Sequence, residues 1–141
     1  MPASVGYLVI DTTDPLRLAP FWCALLDVKV DATIGDGQFV VLSRAKDGLT
    51  VGFQQVPDAK TGKNRLHLDL VVDDLDAATA EIETLGGRWL EPGRTRELEG
   101  FRWRLMADPE GNEFDIDVLP PDSANSSPEP AALINAGGQG A

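Results

Sequence analysis

The chain has 141 residues, 43% of them apolar, and a formal charge of −11 from 12 basic and 23 acidic side chains. That length fits one domain, or two small fused modules sharing a core. The charge repels phosphate backbones and so argues against a nucleic-acid partner, and no run approaches the roughly 18–20 apolar residues of a membrane span. Cys23 is the only cysteine, so no intrachain disulfide can form. It sits in Phe21-Trp22-Cys23-Ala24-Leu25-Leu26 and reads as a buried structural thiol. No basic stretch followed by an apolar one opens the chain, and a cytoplasmic location is expected.

In chain order, residues 5–10 read as a buried strand. Asp14 is a helix N-cap, and Pro15 stands at the first helical position, where its missing N–H costs nothing. The helix is expected to run to about Leu26, with a bend at Pro20. Strands are expected at about 29–34, 38–43 and 49–56. Gly35-Asp36-Gly37 and Asp47-Gly48 mark the turns between them. Residues 57–64 are polar, carry Gly and Pro, and read as a linker.

The order then repeats. Residues 65–72 form a strand, and Asp74 caps a helix with Leu75, Ala78, Ile82 and Leu85 at helical spacing. Gly86-Gly87 ends that helix. Strands follow at about 88–91, 101–107 and 113–119, the last two joined by Asp108-Pro-Glu-Gly-Asn112, where Gly111 or Asn112 can take positive φ. Beyond Pro120, Pro, Ser, Asn, Gly and Ala dominate, and 122–141 are expected to form a disordered tail. Arg94, Arg96, Arg102 and Arg104 interleave with Glu91, Glu97 and Glu99, which reads as a solvated, ion-paired surface.

The repeat is visible in the letters. Tyr7-Leu-Val-Ile-Asp-Thr-Thr-Asp14 and His67-Leu-Asp-Leu-Val-Val-Asp-Asp74 share one offset of 60 residues. The expected class is α+β, built from two β-α-β-β-β modules (about 5–56 and 65–119) whose curved mixed sheet encloses a cleft. Strand alternation puts His67 and Asp69 opposite the apolar Leu66, Leu68, Leu70 and Val72, and Asp115 and Asp117 opposite Phe114, Ile116 and Val118. A simple final hairpin pairs Trp103 with Asp117 and Leu105 with Asp115. Aligning the repeats at Pro57 and Pro120 matches Gly52 and Gln54 to Asp115 and Asp117. The candidate cleft is therefore Tyr7, Gln54, His67, Asp69, Trp103, Asp115 and Asp117.

This order resembles the vicinal-oxygen-chelate superfamily of glyoxalase I, bleomycin-resistance proteins and extradiol dioxygenases. Asp14-Pro-Leu-Arg-Leu-Ala-Pro-Phe-Trp22, Arg65-Leu-His-Leu-Asp-Leu-Val-Val-Asp-Asp74 and Asp108-Pro-Glu-Gly-Asn-Glu-Phe-Asp115 carry the likeness. They are similar to the small glyoxalase-like domain proteins common in actinobacteria, over residues 5–119. Metal-dependent members hold a divalent ion with one residue from each opening and each closing strand. By position the resemblance implies His67 and Asp115 as ligands. Tyr7 and Gly52, or Gln54 after a slip of two, stand where the other two ligands would be.

One imidazole and one carboxylate make an incomplete metal site, because catalytic sites usually offer three protein ligands. The expectation is thus a small-molecule-binding protein without a cofactor. A metal-dependent lyase, isomerase or dioxygenase is the alternative, with a divalent metal. A third reading is an acidic protein-interaction module with a vestigial cleft. Whether the chain is an enzyme is left open. Without metal, His67 is a candidate general base beside Asp115. Tyr7, Gln54, Asp69, Trp103 and Asp117 are candidate ligand-binding residues, with Trp103 as an aromatic wall. A small-molecule ligand and a second copy of the chain, in a homodimer, are the expected partners.

Overall fold

The computed structural model describes residues 2–121, so the expected tail at 122–141 lies outside the described residues. The chain forms two units, one ending at Lys63 but also including Asp108–Asn112, the other built from Asn64–Ala107 and the chain from Glu113 onward. Among the described residues no helix is long and apolar enough to cross a membrane.

In the first unit, β1 (Leu8–Thr12) leads into α1 (Pro15–Leu26). Asp14 Oδ1 accepts from the Arg17 backbone N–H and fixes the helix start, and the helix continues through Pro20. β2 (Val30–Ile34), β3 (Phe39–Leu42) and β4 (Val51–Gln55) complete a sheet of order β1-β4-β3-β2, with β1 and β4 parallel. Leu18, Phe21 and Trp22 of α1 are buried, as are Val40, Leu42, Val51 and Phe53 of the sheet. β1 begins later than the sequence suggested, because its partner β4 begins only at Val51, opposite Leu8. Tyr7 therefore precedes the strand and is 58% exposed.

The segment Asp108–Asn112 is a turn, with Gly111 at φ 91° as expected, and it also completes the first unit's packing. Asp108 is fully buried. Its carboxylate accepts from Trp22 Nε1 at 3.1 Å, from the Glu110 and Asn112 backbone N–H groups at 2.9 and 3.0 Å, and from Asn112 Nδ2 at 2.8 Å. Glu110 accepts from the hydroxyls of Thr12 and Thr13 and from the Thr13 backbone N–H.

In the second unit, β5 (Asp69–Val71) is followed by α2 (Leu75–Thr84), capped by Asp74, whose Oδ1 accepts from the Asp76 and Ala77 N–H groups. β6 (Arg88–Trp89), β7 (Arg96–Leu98), β8 (Phe101–Ala107) and β9 (Glu113–Val118) follow. The path is β5-β9-β8-β6, with β7 also on β8 and with β5 parallel to β9. Leu75, Ile82, Met106, Phe114 and Ile116 form the core. β7 is an element the sequence reading missed. It pairs with β8 across Glu99 (φ 51°) and Gly100 (φ 87°), a two-residue turn with both central φ values positive. Glu at the first of these positions lacks the Asn or Asp that usually marks such a turn.

Arg104 needs a correction. It is not part of a solvated basic surface but is 7% exposed on the helix-facing side of β8. Its guanidinium bonds Asp76 at 2.7 Å, Thr79 at 2.8 Å, Thr95 at 3.0 Å and the Leu75 carbonyl at 3.2 Å, and lies 4.2 Å over the Trp89 ring. Burying a cation this well requires this many partners. Arg94 and Arg96 do form the expected ion pairs, both with Glu91.

Candidate functional site

Pairing in the second unit decides which side chains meet. β5 lies parallel to β9 with Asp69 opposite Asp115 and Val71 opposite Asp117. β8 lies antiparallel on the other side of β9, with Leu105 opposite Asp115 and Trp103 opposite Asp117, the register the sequence predicts. Directly paired residues share a face. Arg104 and Met106 take the helix side, which leaves Asp69, Asp115, Asp117 and Trp103 on the opposite side. β5 is shorter than expected, since pairing with β9 begins only at Asp115, whose N–H donates to the Leu68 carbonyl. His67 consequently lies just before the strand, exposed, rather than within it.

That position lets the imidazole reach two acids at once. His67 Nε2 is 3.3 Å from Asp69 Oδ1 and 3.4 Å from Asp115 Oδ2. His67, Asp69 and Asp115 each offer a ligand atom, all within 4.8 Å of one another. Asp115 is only 9% exposed, and among the described residues its Oδ1 is buried with no hydrogen-bond partner. A buried, unpartnered carboxylate oxygen costs free energy that a cation or a ligand donor would offset.

The electrostatics follow from crowding. Burial, then the neighbouring Asp69, raises Asp115 to about 6, with His67 and Arg96 pulling the other way. Burial, Asp69 and Asp115 raise Asp117 to about 8. Carboxyls packed in a half-dry site cannot all ionise together. Near neutral pH the cluster must share protons, bind a cation, or take a donor from a ligand.

The residues fit a divalent ion better than the sequence suggested. The expected pair His67 and Asp115 gains a third donor in Asp69, giving one imidazole nitrogen and two carboxylates, the number of protein ligands usual in catalytic sites. The first unit does not repeat this. There Val9 lies opposite Gly52, as Asp69 lies opposite Asp115, and Asp11 lies opposite Gln54. Gly52 has no donor side chain, and Val9 is apolar. Tyr7 and Gln54, both exposed, belong to the first unit, whereas His67, Asp69, Trp103, Asp115 and Asp117 belong to the second. Asp69 as a metal donor was readable in the letters, because His-x-Asp at the mouth of a strand puts both side chains on one face.

A family model for the glyoxalase-like domain matches residues 7–116. No curated protein matches the chain. Among solved structures, a fosfomycin resistance protein, FosX, from Listeria monocytogenes is 16% identical with a TM-score of 0.68, over 86% of this chain and 95% of its own. A glyoxalase/bleomycin resistance protein/dioxygenase family enzyme from Burkholderia phytofirmans PsJN is 18% identical with a TM-score of 0.61, over 80% and 96%. The oxidase ChaP-H2 is 20% identical with a TM-score of 0.59, over 85% and 96%. These likenesses concern the fold, and the family match spans most of the chain. The α+β architecture, the strand-helix-strands order repeated in the two units and the family match together identify the chain as a member of the glyoxalase-like domain family, within the vicinal-oxygen-chelate superfamily.

Proposed function

We propose that the protein binds a small molecule on the polar face of its second unit, with a divalent cation held by His67, Asp69 and Asp115. The observation that carries this is the buried, unpartnered Asp115 Oδ1 beside a third donor within 4.8 Å. A divalent ion bound there would supply Lewis-acid polarisation of a ligand oxygen. The chain's own residues do the rest. Asp69 and Asp115 supply carboxylate oxygens, His67 an imidazole nitrogen, and Trp103 an apolar wall against which a planar ligand can lie. The enzymatic form of this reading is a lyase, isomerase or dioxygenase, and it acts on the bound small molecule.

One observation favours a second reading, binding without metal. Asp115 at about 6 and Asp117 at about 8 let the cluster neutralise itself with protons near physiological pH. In that form Asp117 carries an O–H that can donate to a ligand oxygen, His67 acts as hydrogen-bond partner or general base, and the protein sequesters its ligand. Metal analysis of tag-free protein and calorimetric titration with Mn²⁺ separate the two. One ion per chain, lost in His67→Ala, supports the first. No Mn²⁺ binding at millimolar concentration rejects it and leaves the metal-free form.

A further inference from the structure

The polar face of the second sheet also carries a fixed cation, two strands away from the acidic cluster. Direct pairing runs Arg96–Trp103–Asp117–Val71 across β7, β8, β9 and β5. Paired residues share a face, so Arg96 stands on the face of Asp117, and Asp115, two residues back in β9, shares it. Neighbouring strands lie roughly 4.8 Å apart, so β7 and β9 are about 10 Å apart with half-buried Trp103 between them.

The Arg96 guanidinium is held in place. Nε and Nη2 donate to the two Glu91 oxygens at 2.9 and 3.0 Å, and Arg94 donates to the same carboxylate at 2.9 Å. This fork leaves the Nη1 edge of Arg96 for another partner, on a side chain still 34% exposed. At one end of the face, then, is a pre-oriented cation, and at the other the unpartnered buried oxygen of Asp115.

We propose, building on the small-molecule reading above, that this face takes a planar molecule with a hydroxyl at one end and an anionic group at the other. The hydroxyl meets the His67–Asp69–Asp115 cluster, the ring lies against Trp103, and the anion pairs with Arg96. Strands two apart, about 10 Å, leave the span for a ligand of one aromatic ring with substituents across it. Arg96 is on this assignment a specificity-determining residue, selecting anionic over neutral ligands of the same shape. The competing account makes Glu91–Arg96 a self-contained surface ion pair, indifferent to ligand charge.

The test titrates 4-hydroxybenzoate and its neutral analogue 4-hydroxybenzamide, with and without Mn²⁺, by calorimetry and tryptophan fluorescence. Wild type should bind the carboxylate about tenfold more tightly than the amide, as a charge-assisted bidentate contact allows. Arg96→Gln should weaken only 4-hydroxybenzoate and bring the two probes level. Arg96→Lys, which keeps the charge and guards against a fold defect in the first variant, should restore part of the preference. Equal affinities in wild type, or equal loss of both probes in Arg96→Gln, overturn the role of Arg96 and leave the small-molecule reading standing. Binding of neither probe at millimolar concentration overturns this proposal, while Mn²⁺ titration still judges the site beneath it.

Discussion

Replacing Asp117 by Asn makes permanent the neutral state that the structure favours for this carboxyl. Asp117 shares its face with Asp69 and Asp115, and burial with the two acids lifts it to about 8 from an ordinary 3.8. The folded chain thus holds this proton across a range in which the unfolded chain has released it. Stability attributable to the site is present below about pH 4 and is lost as pH rises toward about 8, since the native state binds more protons there. One proton of difference is worth about 1.4 kcal/mol per pH unit, so between pH 5 and pH 8 wild type should lose up to about 4 kcal/mol relative to Asp117→Asn. Titrating groups outside the cluster are common to both proteins and cancel in the comparison. Urea unfolding at pH 5, 6.5 and 8, with a chelator present throughout, measures this directly. Parallel stability curves for the two proteins, or a variant less stable than wild type at pH 8, would refute the crowded-acid account.

Other tests reach different parts of the chain. Mn²⁺ affinity should rise by about tenfold from pH 5 to pH 7 in calorimetry, because Asp115, raised to about 6, must give up its proton to ligate; a flat profile counts against Asp115 as a ligand. Asp108→Ala should cost about 3 kcal/mol in urea unfolding, since it removes four hydrogen bonds and leaves the buried Trp22 N–H without its acceptor; a loss under about 1 kcal/mol would mean water replaces the carboxylate. A two-fold dimer is expected at micromolar concentration. β2 is an edge of the first sheet, with Val30 and Ile34 exposed, and an unpaired edge invites pairing with a second copy. Sedimentation showing a monomer across that range rejects it.

The fold was legible because its punctuation is local. Asp14-Pro15 and Asp74 are caps whose side chains reach only two or three residues along the chain, so sequence alone marks both helix starts. The 60-residue repeat then supplied the order of elements. Strand lengths were less legible, because a strand lasts only as long as its pairing: β5 is confined to Asp69–Val71, the residues that pair with Asp115–Asp117 of β9. The polar face followed from alternation, which put His67, Asp69, Asp115 and Asp117 together correctly. Two things did not follow. That Asp69 also closes on Asp115, completing a set of three donors, depends on the register of β5 against β9, which alternation along one strand cannot give. Arg104 looks in sequence like its neighbours Arg94 and Arg96, yet its place opposite Ile116 turns it toward α2 and into the core.

The turn between β8 and β9 has a consequence for how the chain reaches its folded state. Trp22 Nε1, Thr12 and Thr13 find their partners in Asp108 and Glu110, some 86 to 98 residues further along. As the protein is synthesised, the first module can emerge with its own strands and helix complete but its tryptophan N–H unanswered. It must wait until nearly all of the second module has left the ribosome. The late turn acts as a clasp, and contacts of such long range slow folding. The two modules, alike enough to suggest a duplicated and once self-sufficient unit, are thereby made to finish folding together.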